Sequence, residues 1–288
     1  MTASSARRAS TRYVEPMQLS DALRALAERP AMVLAGATDF YPARIDRPIE
    51  EDIVDISRIA ELRGIEHDED GWRLGALTTW REIAEQPLPA LFDGLKAAAG
   101  EVGGMQIQNR GTIGGNLCNA SPAADGIPPL LALDASVELA SSTGTRSLPL
   151  AAFILGNRIT ARRPDELLTA VRIPARRART RSAFLKLGAR RYLVISIAMV
   201  AATVETDGAG RIARAGLAVG ACGPVAQRLR SLESRLLDQP IAALSDFEVL
   251  ESDLVPLSPR TDVRATAAYR HDAVVTLLQR ALRSLGDA

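Results

Sequence analysis

Cysteine and histidine are both scarce in this 288-residue chain. It has two cysteines, Cys118 and Cys222, and two histidines, His67 and His271. The cysteines stand far apart and form no CxxC pair, whereas an iron–sulfur cluster normally takes four cysteine ligands. The histidines do not have the spacing of a zinc site. The sequence therefore indicates neither a disulfide framework nor a metal site of its own.

An excess of charge of one sign and a long apolar run are also lacking. Lys and Arg number 35 against 34 Asp and Glu, for a formal net charge of +1. This balance argues against nucleic acid or an anionic membrane as the main partner. The longest apolar run, residues 193–204, is too short to span a bilayer as a helix. No apolar stretch follows the twin arginine near the N-terminus, so a signal peptide is not indicated. We expect a soluble, cytoplasmic protein.

Hydrophobic periodicity predicts a mixture of helices and strands. The predicted helices lie at residues 19–28, 79–84, 90–99, 226–237 and 262–285. The predicted strands lie at residues 32–35, 53–56, 72–77, 136–140 and 167–173, with a hairpin made of residues 192–206 and 211–221. Between residues 100 and 129 no period holds, and a structureless run of that length is usually functional. The arginine-rich residues 172–181 are interpreted as a domain boundary, in a solvated linker or a subunit-contact surface.

Two turns of small residues are the candidates for binding chemistry. Residues 33–40 (VLAGATDF) form a buried strand that ends in a turn, and residues 109–116 (NRGTIGGN) are followed by NASPAAD at 119–125. Small residues let backbone N–H groups point together at an anion. Neither turn is a GxGxxG or Walker A motif. From the residues alone we predict a pair of anion-binding loops, although each turn could equally be an ordinary bend.

A resemblance narrows the choice of ligand. Residues 109–139 (NRGTIGGNLCNASPAADGIPPLLALDASVEL) resemble the signature of the FAD-binding medium subunit of the xanthine dehydrogenase and carbon monoxide dehydrogenase family, the molybdenum hydroxylases. The segments VLAGATDF, PDELLTAVRIP, FLKLGARRYLVISIAMVAA and DVRATAAYR resemble the same family and follow its order along nearly the whole chain. The resemblance implies one FAD. Neither histidine lies in a cofactor motif, so we expect it to be non-covalent.

The resemblance also implies an α+β fold of two parts. Residues 1–176 would form an FAD-binding domain of the vanillyl-alcohol oxidase (PCMH) type, with subdomains at about 1–58 and 59–176. Residues 177–288 would form the CO dehydrogenase flavoprotein C-terminal domain. In this arrangement FAD lies between the two subdomains.

Eighteen positions are implied as cofactor contacts, and no residue is implied as catalytic or metal-binding. Val33–Phe40 and Thr112–Asn116 would wrap the diphosphate and ribityl chain, while Lys186 and Tyr192 would lie near the flavin. The positions are Val33, Leu34, Ala35, Gly36, Ala37, Thr38, Asp39, Phe40, Val102, Thr112, Ile113, Gly114, Gly115, Asn116, Asp125, Leu168, Lys186 and Tyr192. Asp125 would suit a hydroxyl of FAD. Val102 stands where some relatives have an aromatic ring.

Three expectations concern single side chains. Ala37 replaces a glycine common in the family, and its methyl group is compatible with the turn only if φ is negative. Replacing Gly114 or Gly115 by Val should empty the FAD site and leave the fold largely intact. Replacing Cys118 by Ser should leave the cofactor content unchanged.

The resemblance implies the role of an electron-exit subunit. Molybdopterin would lie in a large subunit and two [2Fe–2S] clusters in a small one, in a dimer of heterotrimers. Electrons would reach FAD from the nearer cluster and leave to NAD⁺, oxygen, a quinone or another acceptor. Two alternatives are a scaffold subunit that has lost FAD, suggested by Ala37 and Val102, and a stand-alone FAD oxidoreductase. The substrate of the molybdenum partner is left open.

Overall fold

The computed structural model describes residues 11–45, 47–176, 179–190 and 194–287, a part of the chain in which strands and helices are mixed. Its strands are β1 (Tyr13–Val14), β2 (Met32–Leu34), β3 (Ile53–Asp55), β4 (Ile65–Asp68), β5 (Gly71–Gly75), β6 (Ser136–Ser141), β7 (Gly144–Pro149), β8 (Ile154–Gly156), β9 (Ile159–Thr160), β10 (Leu167–Pro174), β11 (Thr180–Leu187), β12 (Ala198–Thr206), β13 (Ile212–Gly220) and β14 (Gln227–Arg228). Its α-helices are α1 (Leu19–Glu28), α2 (Trp80–Glu85), α3 (Asp93–Glu101), α4 (Met105–Arg110), α5 (Ile113–Asn119), α6 (Ile127–Ala132), α7 (Leu150–Phe153), α8 (Arg230–Leu236) and α9 (Ala267–Gly286). None of these helices is long and apolar enough to cross a membrane.

The first sheet is small and parallel, with the strand order β1-β3-β2. Helix α1 covers it because its apolar residues recur with helical spacing on one face. The buried residues of that face are Ala22, Leu23, Ala25 and Leu26. They share a core with Val54 of β3. This packing fixes β2, whose end at Leu34 delivers the chain into the first of the two turns.

The second sheet is antiparallel, with the order β4-β5-β10-β6-β7. Its core includes Trp80 of α2 together with Ile113 and Leu117 of α5, all fully buried. Helix α2 begins with a capping box, because the Thr79 hydroxyl accepts the Glu82 N–H and the Glu82 carboxylate accepts the Thr79 N–H. Helices α2 and α5 therefore share one core with this sheet.

The third sheet is antiparallel, with the order β11-β12-β13-β14. Every residue of β12 is buried, and its first five residues, 198–202, are all apolar. Helices α8 and α9 share a core with β12 and β13. Helix α9 begins where the Thr266 hydroxyl accepts the N–H of Tyr269.

Most of the predicted elements are confirmed. The predicted helix at 19–28 coincides with α1, and the helix predicted at 262–285 is α9 with a later start at Ala267. The predicted hairpin is confirmed in its described part, where β12 and β13 pair antiparallel. Strands β4, β7 and β11, and the two- and three-residue strands β1, β8, β9 and β14, were not predicted. The first three are more exposed than β12, and their sequences do not form apolar runs.

One prediction about an irregular segment is wrong, and another is only partly right. Residues 100–129 are not structureless, because α4, α5 and the start of α6 lie there. These helices have only six or seven residues each, too few to establish a period. The arginine-rich segment is only partly a linker, because Arg172 lies in β10 and forms ion pairs with Asp68 and Glu138. The predicted domain and subdomain boundaries stay predictions.

Candidate functional site

A crevice of about 430 Å³ brings the two predicted turns together. We call residues 36–39 the first turn and residues 112–116 the second turn. A Cβ atom built on Gly36 would lie 1.9 Å from the carbonyl oxygen of Arg110, just before the second turn. Only glycine allows so close an approach of two backbones. The two turns therefore share one crevice, as the anion-loop hypothesis requires.

Fourteen of the eighteen predicted site residues line this crevice. They come from β2 and the first turn, from the second turn, from the end of α3 and from β10. They are Val33, Leu34, Ala35, Gly36, Ala37, Thr38, Asp39, Phe40, Val102, Thr112, Gly114, Gly115, Asn116 and Leu168. Ile113 is instead fully buried in the core. Asp125 and Lys186 are absent from the described lining, and Tyr192 lies outside the described residues.

The first turn presents unbonded backbone donors to the crevice. Strand β2 ends at Leu34, and within the described part of the chain the N–H groups of residues 36–39 donate to no acceptor. Consecutive N–H groups in a turn that includes a left-handed residue form a concave anion-binding nest. Ala37 supplies the left-handed residue, with φ 60°. The first turn is therefore built to receive a negatively charged group.

The backbone at Ala37 does not meet the condition stated for its methyl group. Its φ is positive, so the alanine lies in the left-handed region that glycine favours. A left-handed conformation costs a non-glycine residue about 1–2 kcal/mol. Close packing of Gly36 against Arg110 fixes the neighbouring backbone, which explains how the strain is held.

Four of the five backbone N–H groups of the second turn are not free donors, and for these four the prediction is wrong. The N–H groups of residues 113–116 all have partners. Two of them donate to the carbonyl oxygens of Ala76 and Thr78, and the other two donate to the side chain and carbonyl of Thr112. The bonds to Ala76 and Thr78 hold the N-terminal end of α5 against that part of the chain. An anion would have to displace them to use these groups.

The second turn contributes a side chain instead. The Oδ1 atom of Asn116 is buried and lacks a hydrogen-bond partner among the described atoms. A buried carbonyl oxygen without a donor is costly, by roughly 1–3 kcal/mol, and Asn116 is one of the residues that line the crevice. Gly115 lies beside it on the crevice wall and is exposed.

Gly114 differs from Gly115 in what surrounds it. Gly114 is buried, and a Cβ atom built there would lie 2.8 Å from both the Cβ and the carbonyl oxygen of Ala76. A valine at this position would push α5 away from its support. The expectation that replacement of Gly114 leaves the fold intact is therefore wrong, although it holds as an expectation for Gly115.

Asp125 and Lys186 pair with each other. The Lys186 Nζ lies 2.7 Å from Asp125 Oδ2, and the Ser196 hydroxyl donates to Asp125 Oδ1 at 2.7 Å. Lys186 also donates to the carbonyl of Glu101, next to Val102 on the crevice wall. Burial raises the pKa of Asp125, and the charge and hydrogen bond of Lys186 act in the opposite direction. Both carboxylate oxygens are thus engaged, so a cofactor hydroxyl would compete for them.

Three arginines in the crevice were not predicted. Arg44, Arg158 and Arg162 line it. The Arg44 guanidinium lies 3.9 Å from the centre of the Phe40 ring, and Arg162 donates to the carbonyls of Arg163 and Glu166. Nothing in their local sequence distinguishes them from the other arginines of the chain, because the hairpin β8–β9 and the turn near Arg44 reach the crevice only through the tertiary fold.

Cys118 also lines the crevice. Burial raises the pKa of its thiol to about 11, with Arg162 opposing the shift. A thiol with such a pKa is protonated at neutral pH and is a poor nucleophile or ligand. The geometry gives no reason to assign it a bonding role.

The crevice as a whole fits a flavin dinucleotide. The free N–H groups of the first turn suit a diphosphate, and Asn116 Oδ1 suits a hydroxyl of a sugar or ribityl chain. Leu34, Val102 and Leu168 provide apolar wall for planar rings. An apolar crevice with a few convergent polar groups is typical of cofactor sites.

Comparison with known proteins gives the family. The FAD binding domain in molybdopterin dehydrogenase matches residues 8–176, and the CO dehydrogenase flavoprotein C-terminal domain matches residues 183–285. The xanthine dehydrogenase FAD-binding subunit of Escherichia coli O157:H7 is 33% identical over 279 residues, which cover 94% of each chain. The nicotinate dehydrogenase FAD-subunit of Eubacterium barkeri is 34% identical over 250 residues, covering 84% of this chain and 83% of the relative.

A solved structure agrees. Carbon monoxide dehydrogenase from Hydrogenophaga pseudoflava superposes with a TM-score of 0.83 at 27% identity, over 96% of this chain and 97% of the other. The predicted α+β fold class and the predicted resemblance are both confirmed. The chain is an FAD-dependent oxidoreductase subunit that belongs to the FAD-binding medium subunits of the molybdenum hydroxylases, the xanthine and carbon monoxide dehydrogenase family.

Proposed function

We propose that this chain binds one FAD non-covalently in the crevice and passes electrons out of a molybdenum hydroxylase complex. The observation that carries the proposal is the row of unbonded N–H groups at residues 36–39, in a crevice that is also lined by Asn116, whose buried Oδ1 has no partner among the described atoms. Both features leave polar groups unsatisfied that a bound dinucleotide would satisfy.

The residues of the chain would share the work of holding the cofactor. The first turn would hold the diphosphate, Asn116 would accept a hydrogen bond from a hydroxyl, and Leu168 and Val102 would pack against the rings. The bound flavin would supply the redox chemistry. The buried Lys186 ammonium lies next to the backbone of Val102, and a cation there favours added negative charge nearby.

Two observations support non-covalent binding. No histidine is found among the described residues that line the crevice. The Cys118 thiol, which does line it, has a raised pKa and would be a weak nucleophile. The glycine-like φ at Ala37 also argues against a scaffold that has lost its cofactor site.

The partners and the electron path belong to the same proposal. We propose a large subunit with molybdopterin and a small subunit with two [2Fe–2S] clusters, in a dimer of heterotrimers. Electrons would pass from the nearer cluster through the flavin site to NAD⁺, oxygen, a quinone or another acceptor. The similarity to FAD subunits of xanthine dehydrogenase and nicotinate dehydrogenase supports this place in a complex. We also propose the division of the chain near residue 176, which separates β10 from β11.

The test uses the purified full chain, titrated with FAD. We expect one FAD per chain, released on denaturation as free FAD, and no oxidation of xanthine, aldehydes or carbon monoxide by the isolated chain. Failure to take up FAD would favour the scaffold. Robust turnover by the isolated chain would favour a stand-alone oxidoreductase.

A further inference from the structure

The charges around the crevice are unequal. Among its described lining residues, Arg44, Arg158 and Arg162 are cationic and Asp39 is the one acidic residue. The chain as a whole has almost equal numbers of the two signs, so this excess is local. It suits a diphosphate, which carries two negative charges. Asp39 is the exception, and it belongs to the turn whose N–H groups are free.

An acidic side chain in an anion-binding turn requires compensation. Two like charges a few ångströms apart repel each other, and the energy is several-fold larger near a protein surface than in bulk water. Bringing a diphosphate to the backbone of Asp39 would place it beside the carboxylate of the same residue. A cation held at that carboxylate would remove most of the penalty.

Arg158 supplies that cation. Its Nη2 lies 3.0 Å from Asp39 Oδ2, and both side chains are about half exposed. Its backbone is held as well, because the Arg158 N–H donates to the carbonyl of Ala120 at the end of α5. Arg158 adopts φ 59° and Ala120 adopts φ 46°. Left-handed non-glycine residues persist where the surroundings fix them, often at functional sites.

We propose that Arg158 is a positioning residue that neutralises Asp39, so that the diphosphate of FAD can reach the N–H groups of the first turn. This inference rests on the proposed FAD binding. Arg158 acts through Asp39, since its guanidinium is committed to that carboxylate. The pair also joins the first turn to the β8–β9 hairpin, on two different walls of the crevice.

The test is a charge-based mutant cycle on the full chain freed of flavin. The variants are Arg158→Gln, Asp39→Asn and the double variant, and the probes are FAD and uncharged riboflavin. We expect Arg158→Gln to weaken FAD binding about tenfold, because Asp39 is then unscreened. Asp39→Asn should bind FAD at least as tightly as the wild type. The double variant should regain most of the lost affinity.

Two further readouts separate this role from a structural one. Riboflavin carries no phosphate, so Arg158→Gln should leave its affinity unchanged. The loss for FAD should also shrink in about 1 M salt, where the screening length falls to about 3 Å. Arg24→Ala, which breaks an exposed pair with Asp21 on α1 away from the crevice, is the matched control and should change nothing.

The outcomes are distinct. Equal FAD affinity of the wild type and Arg158→Gln overturns the inference alone. A double variant that binds as weakly as Arg158→Gln, or weaker, also overturns it, because Asp39 would not be the source of the loss. If the wild type binds no FAD, the proposed function fails together with the inference.

Discussion

Lys186 Nζ and Asp125 Oδ2 lie 2.7 Å apart, and both side chains are less than one-tenth exposed. Lys186 lies on β11 and Asp125 follows α5, so the pair ties the third sheet to the segment behind the second turn. The Ser196 hydroxyl completes the arrangement by donating to the same carboxylate. The pair therefore holds β11 against the segment that follows α5.

Removing one partner of this pair should destabilise the protein. Lys186→Met leaves the Asp125 carboxylate buried without its cation, at a cost of about 3 kcal/mol in the free energy of unfolding. The combined Lys186→Met and Asp125→Leu variant should recover most of the loss, because no buried charge is left. Chemical denaturation of the three proteins measures this. A double variant less stable than Lys186→Met would contradict the account.

The stability of the Lys186→Met variant should depend on pH, and burial of Asp125 sets the direction. In Lys186→Met, burial holds the pKa of Asp125 above its unfolded value, so the folded state binds more protons. The stability lost in this variant should therefore be partly regained as the pH is lowered towards 3.8, the ordinary pKa of an aspartate.

Gly115 and Gly114 should respond differently to valine. Gly115→Val places a branched side chain on the crevice wall and should weaken FAD binding at least about tenfold with a small change in Tm. Gly114→Val forces α5 against Ala76 and should cost about 2–3 kcal/mol of stability. Flavin titration and thermal unfolding of both variants separate the effects. Cys118→Ser, a change in the same helix, should retain full flavin content. Equal flavin loss and equal destabilisation in the two valine variants would be inconsistent with the geometry.

The local sequence predicts helices and strands better than it predicts which backbone N–H groups are free to bind a ligand. The apolar spacing of α1 and the hairpin of β12 and β13 are visible because each contains enough residues to establish a period. The TIGGN segment was expected to offer free N–H groups. Whether they are free depends on Ala76 and Thr78, which reach α5 from another part of the chain. Burial and pairing of that kind arise only from the tertiary fold.

The same reason explains the missed arginines. Arg158 reaches the first turn because its hairpin packs at the end of α5 and its N–H donates to Ala120. The first turn, by contrast, was found from sequence, since a buried strand followed by small residues is a local pattern. The sequence predicts the pattern within one segment. It does not predict which segments come into contact in the fold.

Ala37→Gly should stabilise the protein. The left-handed backbone costs alanine about 1–2 kcal/mol, and glycine removes this strain. Glycine also makes the unfolded chain more flexible, which offsets roughly 0.5–1 kcal/mol of the gain. The net gain should be roughly 0.5–1 kcal/mol in urea denaturation, with FAD affinity retained. Ala37→Val, with a branched side chain at the same φ, should be less stable than the wild type. A destabilising Ala37→Gly would show that the turn is not strained.

Asp262 should make the free energy of unfolding depend on pH in the acid range. The N–H of Arg264, with the guanidinium of Arg270 assisting, lowers the pKa of Asp262 to about 2 from its ordinary value of 3.8. The stabilisation is therefore complete above pH 3.8 and is lost as the pH falls through about 2. Asp262→Asn should flatten the stability profile in that window. Asp272→Asn, exposed on α9, is the control. Identical profiles for the wild type and Asp262→Asn would contradict the assignment.

Backbone hydrogen exchange tests the central claim most directly. In the FAD-free chain, the N–H groups of residues 36–39 should exchange quickly and those of residues 113–116 slowly, because only the latter are hydrogen-bonded. Saturating FAD should protect residues 36–39 and leave residues 113–116 nearly unchanged. FAD binding without any slowing at residues 36–39 would show that the first turn does not hold the diphosphate.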